Sequence, residues 1–286
     1  MDTITGTTLY GCFYGETYRD VCVILTPGTC GNIFENKFLQ VIGDKLEEQR
    51  ISYICAHNSG SFHIIDLPHK INGTKRCGFS FELFEDWFDD IDAWINYAKS
   101  LGYKKIVLGG HSLGASKVIN YLSNKNNSVV DNYILLSPVD LSMQSDKEKE
   151  QIPRLLIEAK KHIENNQPEK ILSVMFDDYN VFCARSFIDF MNLPNHFPIY
   201  QKNGKCFDLK KINIKGLFVI GEKDWFANQD AKKHLLLINE NTKNKNNKME
   251  VINNTGHTYQ EKEIELSNII IDFIKNCNKK VRLMPK

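Results

Sequence analysis

Lys105-Ile106-Val107-Leu108-Gly109-Gly110-His111-Ser112-Leu113-Gly114-Ala115-Ser116-Lys117-Val118 is the stretch that decides the fold. Residues 105–108 are a short, β-branched apolar run of the kind that fills a buried strand. Residues 113–123 carry apolar side chains at helical spacing. Between them lies Gly110-His111-Ser112-Leu113-Gly114, a G-x-S-x-G pentapeptide. About one chain in ten of this length would contain such a pentapeptide by chance, with Gly and Ser each near about 7% of residues. Its position between a strand and a helix therefore carries the argument. A turn this sharp strains the backbone of its central residue, and side chains two places away on either side must be small to clear the neighbouring strand and helix. Ser112 is thereby a candidate nucleophile at the carboxyl edge of a sheet. The helix that starts there turns its positive end, and the Leu113 N–H, toward any negative oxygen that develops.

Outward from this point, short apolar runs alternate with helical patterns. Runs at residues 21–26, 51–56, 105–108, 133–137, 217–220 and 249–252 read as buried strands. Residues 34–49, 84–101 and 261–274 read as helices, the second through Phe84, Trp87, Phe88, Ile91, Trp94, Ile95 and Ala98. This alternation predicts an α/β fold: a mostly parallel, doubly wound sheet with helices on both faces. An edge hairpin is expected around residues 7–12. Between residues 141 and 206 the alternation stops, giving a charged helical run at 145–165 and then a stretch rich in Phe, Asp and Pro. The expected organisation is a core in two parts, 1–140 and 207–286, with 141–206 inserted as a cap over the sheet.

A serine hydroxyl is a poor nucleophile near neutral pH and needs a base within hydrogen-bond reach, usually histidine. Among eight histidines, His257 is the candidate. It follows the last strand and precedes the last helix, which in a parallel sheet brings it to the carboxyl edge beside Ser112. His57, His63 and His69 follow an earlier strand and read as surface or packing residues. His162, His196 and His234 lie in cap or helical segments, and His111 is expected to point away from the nucleophile's side. The base needs a carboxylate on its second nitrogen to fix its tautomer and stabilise the imidazolium. Asp224, in Gly221-Glu222-Lys223-Asp224 after a strand, fits best, and Asp140 is the rival. The chain order Ser, Asp, His on successive strand ends agrees.

A second donor for the oxyanion is expected from Thr26-Pro27-Gly28-Thr29-Cys30-Gly31-Asn32, where Thr29 N–H is the first candidate and Cys30 the second. Trp225, Phe226 and Tyr259 adjoin the acid and base loops as candidate substrate-lining residues, with core packing as the equal alternative. The expected cycle needs no metal and no organic cofactor, because Ser112 attacks an acyl carbonyl and His257 carries the proton in both directions.

Composition excludes several other classes. Apolar residues make up 42% of the 286 and charged residues 25%, ordinary values for a globular chain. Thirty-six Lys and Arg balance 35 Asp and Glu, so there is no basic excess to meet nucleic-acid phosphates or an anionic membrane. No apolar stretch reaches bilayer-spanning length, and Met1-Asp2-Thr3-Ile4-Thr5-Gly6 has no secretory pattern. Eight scattered cysteines without a C-x-x-C pair read as reduced thiols. A cytoplasmic location is expected.

Gly-His-Ser-Leu-Gly at 110–114, Gly-x-x-Asp at 221–224 and Gly-His at 256–257 resemble the nucleophile, acid and histidine motifs of the α/β-hydrolase superfamily. The likeness covers nearly the whole chain apart from the cap. Pro27 departs from it, since many members have His before Gly in the oxyanion loop. Phe81-Glu82-x-Phe84, Asp90-Ile91-x-Ala93-Trp94-Ile95 and residues 110–118 are similar to a hydrolase group that includes fungal siderophore esterases. The resemblance implies a serine esterase acting on a small-molecule carboxylic ester, a natural product or other bulky metabolite. A thioesterase or acyltransferase would use the same triad, and a binding protein without turnover would keep the fold alone.

Overall fold

Each central strand is an unbroken apolar run because both of its faces are covered. In a strand successive side chains point to opposite faces, so Cys22 and Ile24 enter one core while Val23 and Leu25 enter the other. The computed structural model describes residues 1–125, 129–139, 145–196, 209–227 and 230–282. In chain order the elements are β1 (Gly11–Tyr14), β2 (Val21–Thr26), α1 (Lys37–Glu48), β3 (Ser52–Ala56), β4 (Ile65–His69), β5 (Gly73–Cys77), α2 (Asp86–Ser100), β6 (Lys105–His111), α3 (Leu113–Asn124) and β7 (Asn132–Leu136). They continue with α4 (Asp146–Glu164), α5 (Ala184–His196), β8 (Lys215–Gly221), α6 (Ala231–Asn241), β9 (Lys248–Ile252) and α7 (Glu263–Arg282).

Among the described residues, seven strands form one sheet in the order β1-β3-β2-β6-β7-β8-β9. All its pairings are parallel except β1 with β3. One core joins α2, α3 and α6 to the sheet through Trp94, Val118 and Leu235. The other joins α1 and α7 through Phe38, Ile42, Leu266 and Phe273. Full burial of such a side chain contributes about 1.5–3 kcal/mol. The chain moves from β2 outward to β3 and then returns to β6 on the other side of β2, so strand order reverses between β2 and β6. The carboxyl ends at that reversal form the crevice where α/β sheets place their ligands.

The amino-terminal expectation needs correction. The edge strand is Gly11–Tyr14, and it pairs antiparallel with β3, Cys12 opposite Cys55. Residues 7–12 form no hairpin; Thr7 and Thr8 make only single bridges, to His69 and Asp2. The partner of this strand lies some forty residues away, beyond local pattern reading. The β4–β5 ribbon was also not foreseen. Its strands are largely exposed, so it lacks the apolar run that marks a buried strand, and Pro68 is tolerated because the pair stands outside the main sheet.

Between β7 and β8 lie α4 and α5. Ser145 caps α4: its side chain accepts from Glu148 N (3.1 Å) while Glu148 accepts from Ser145 N (2.5 Å), a reciprocal box worth about 1 kcal/mol. A third apolar cluster joins both helices to the body of the fold, with Leu155, Phe176, Phe182 and Phe187 meeting Phe79, Trp87, Leu113 and Cys30. The segment therefore packs over the start of α3 and over the loop after β2.

Candidate active site

Ser112 has the strained backbone that the pentapeptide predicts, with φ 55° and ψ −125°, a left-handed conformation that costs a non-glycine residue of order 1–3 kcal/mol. The strain is held from both sides. Ser112 N donates to Leu136 O on β7 (2.9 Å), and Ser112 O accepts from Ala115 N in the first turn of α3 (2.9 Å). Side chains at 110 and 114 are excluded, because a Cβ on Gly110 would strike the Gly114 carbonyl and one on Gly114 would strike the carbonyls of Thr26 and Pro27.

His257 and Asp224 are brought together as expected. Both lie at strand carboxyl ends, after β9 and β8, and His257 Nδ1 is 3.0 and 3.1 Å from the two Asp224 carboxylate oxygens. The side chains are 8% and 1% exposed. A carboxylate only accepts, so Nδ1 carries the proton and Nε2 is left as the basic nitrogen. Burial pushes the Asp224 carboxyl up, but the hydrogen bond and charge of His257, with help from the Phe226 N–H (3.0 Å), outweigh it and hold the group below its ordinary value. Asp140 lies outside the described residues.

The loop after β2 reaches the same point. A Cβ on Gly28 would stand 2.7 Å from Ser112 Cβ and 3.2 Å from Ser112 Oγ, so the backbone of the candidate oxyanion loop passes directly against the serine. Thr29 is half-buried. Cys30 is buried with a positive φ of 44°, and its Sγ lies 3.3 Å from the Tyr179 hydroxyl. Burial raises the Cys30 thiol above its ordinary value, which disfavours the thiolate that nucleophilic chemistry would need.

The three candidate lining residues divide. Trp225 and Phe226 are 69% and 41% exposed, with rings 5.8 and 4.8 Å from the His257 ring. Tyr259 has no exposure. Its hydroxyl donates to Val219 O (3.0 Å) and accepts from Ser137 Oγ (2.9 Å), so it is a core residue and lines no open pocket.

His111 was given no part by the sequence reading, yet it touches His257. Its Nε2–H donates to the His257 carbonyl (2.8 Å), and its ring packs 4.8 Å from His257 and 4.7 Å from Phe38. Burial, with the adjacent His257, pushes its pKa down to about 3, so it stays neutral. No local signal marks this contact, which joins residues 146 positions apart. His57 takes the packing role of the two expected for it: it is buried, and its Nε2 accepts from Ile33 N (3.0 Å). Among the described residues no group of three His, Cys, Asp or Glu is placed to hold a metal, and no helix is long and apolar enough to cross a membrane.

A parallel sheet reversing between β2 and β6, with a serine on the sharp turn after β6, defines an α/β hydrolase fold. The chain superposes over 96% of its length on the α/β hydrolase GrgF from Penicillium sp. sh18 (TM-score 0.71, 15% identity, 96% of that chain). It does so also on Est1E from Butyrivibrio proteoclasticus with ferulic acid bound (TM-score 0.64, 16% identity, 96% of each chain). Within this fold the chain belongs to the DUF1749 family, described as proteins of unknown function, which it matches over residues 77–276. It is also 30% identical over 82 residues to phospholipase YtpA of Bacillus subtilis strain 168, a match spanning 28% of this chain and 31% of that protein.

Proposed function

We propose that this chain is a serine hydrolase that cleaves a carboxylic ester of a bulky, apolar small molecule through an acyl-enzyme on Ser112. The observation that carries the reading is the strained Ser112 at the β6–α3 turn, on the same sheet edge as a buried His257–Asp224 hydrogen bond. Ser112 Oγ attacks the acyl carbonyl while His257 Nε2 takes its proton, and Asp224 stabilises the imidazolium that results. The tetrahedral oxyanion is held by backbone N–H groups of Leu113 and Thr29. His257 then protonates the leaving alcohol. Water, activated by the same histidine, releases the acid and regenerates Ser112.

The substrate class rests on the exposed pair Trp225 and Phe226 beside His257, an apolar rim of the kind that receives a bulky group. Segment 141–206 is assigned the role of cap because its described residues pack on Leu113 and Cys30. Two similar proteins carry names in keeping with ester chemistry: Est1E has ferulic acid bound, and YtpA is named a phospholipase. The test is intact mass after treatment with a fluorophosphonate probe. One adduct on the wild type and none on Ser112→Ala is expected; a wild type that takes no adduct would overturn the reading.

A further inference from the structure

Lys117 lies five residues beyond Ser112 on α3, and its side chain is only 1% exposed. It pairs with Glu82, whose side chain is 4% exposed, donates to Asn58 Oδ1 (3.2 Å) and sits 5.3 Å from the Trp87 ring centroid. The proposed proton transfers use none of these groups. A buried ion pair is a poor source of stability, because desolvation of both charges offsets their attraction and apolar replacements of similar volume often do as well. Such a pair is better suited to fixing one arrangement of the chain, and the bonds that leave it point to which one.

Asn58 opens the loop after β3. Its Oδ1 also accepts from Gly60 N (2.9 Å), its N donates to Ser61 Oγ (3.1 Å) and its O accepts from Ser61 N (2.9 Å). Ser61 in turn bridges in parallel to Cys30, and Phe62 N donates to Cys30 O (2.9 Å). One residue upstream, His57 receives Ile33 N. A second buried acid grips the same loop from α2, with Asp90 Oδ2 accepting from both N and Oγ of Ser59 (2.7 Å each). Residues 57–62 are therefore a platform bonded below to Lys117 and Asp90 and above to residues 30–33. Gly28, at the near end of that upper loop, already touches Ser112.

We infer that Lys117, with Glu82 and Asn58, is a positioning residue for the oxyanion loop, fixing residues 28–30 relative to Ser112 through the 57–62 platform. It touches no substrate. The pair anchors the platform to the helix whose first residue supplies the other oxyanion donor, so both donors are referenced to one rigid element. The inference rests on the hydrolase reading above.

The test uses two variants of the full chain: Lys117→Met with Glu82→Gln, which removes both charges at similar volume, and Asn58→Ala, which leaves the ion pair and cuts its link to the platform. Each is titrated with the fluorophosphonate so that rates are expressed per functional serine. On a p-nitrophenyl ester, kcat is expected to fall about 10- to 100-fold with KM within about twofold, because oxyanion donors act in the transition state more than on bound substrate. Affinity for a trifluoromethyl ketone, which forms a tetrahedral adduct with the serine, should fall by the same factor. A merely structural role lowers the melting temperature and leaves both quantities unchanged per labelled site, and that result would overturn the inference. If the paired variant does not fold, Asn58→Ala carries the test alone. A wild type that takes no label brings down the hydrolase reading and this inference with it; a labelled wild type with unchanged variants brings down only this one.

Discussion

Among the described residues, the pairs His257–Asp224 and Lys117–Glu82 are both buried, and their surroundings separate them. The first stands on loops at the sheet edge, beside the exposed rings of Trp225 and Phe226. The second is enclosed between α3, the segment before α2 and the loop after β3. The acids respond in opposite senses. Asp224 is held below its ordinary value by its partners, whereas Glu82 is pushed above its own by burial, which Lys117 only partly offsets. The ordinary histidine range lies near neutral pH and the ordinary lysine range well above it. One pair is thus suited to moving a proton, the other to holding chain segments in place.

That contrast can be broken most sharply at the proposed nucleophile, Ser112. Ser112→Ala and His257→Ala should each lower kcat by on the order of 10⁶-fold, and the double variant little further, because the residues act as a unit. Small, additive losses in steady-state rate would show that they do not.

Asp224→Asn should cost about 10⁴-fold in kcat through loss of the correct histidine tautomer. It also carries a pH signature. A carboxyl depressed in the folded state contributes stability above its unfolded value, here 3.8, and that contribution is lost as pH falls through the folded value. Thermal melts of wild type and Asp224→Asn should therefore converge below about pH 4. A gap that widens in acid would contradict the assignment of partners.

For the second pair the prediction concerns folding. Lys117→Met alone leaves a buried, unpartnered carboxylate and should destabilise by about 3–5 kcal/mol in urea unfolding, and adding Glu82→Gln should restore most of it. Equal losses for the single and double variants would mean that the two groups are not coupled. The smallest expected effect is at the rim. Trp225→Ala should change stability by less than about 0.5 kcal/mol, raising KM for bulky esters while leaving an acetyl ester unaffected.

What was legible from the sequence follows from how local each signal is. The strand, turn and helix of 105–118 read correctly because period, glycine placement and turn chemistry all fall within fourteen neighbouring residues. The pairing of Asp224 with His257, a hydrogen bond in the structure, was reached through their positions after strands, a topological argument that a parallel sheet supports. Tyr259 illustrates the limit. It sits two residues from His257, yet its positive φ of 54° turns it into the core against Val219 and Ser137, which the sequence around it does not encode. Lys117 was quoted as part of a motif and given no part of its own, because its partners lie 35 and 59 residues away. The β4–β5 ribbon went unread for the opposite reason: it buries so little that it has no hydrophobic pattern to find.

The contact between Gly28 and Ser112 sets a limit on how this chain can vary. Most of the surface could accept extra atoms, but at position 28 a single methyl group would occupy the space beside Ser112 Oγ. Alanine there would add only one carbon, on a buried loop whose Cys30 belongs to the third apolar cluster. That carbon would stand 2.7 Å from Ser112 Cβ and 3.0 Å from the His111 carbonyl, so the loop or the turn must shift, and the expected product melts below its parent with its serine crowded. Such a variant would serve as an inactive reference that keeps every titrating group, and homologues carrying any side chain at this position would need a differently shaped crevice to work at all.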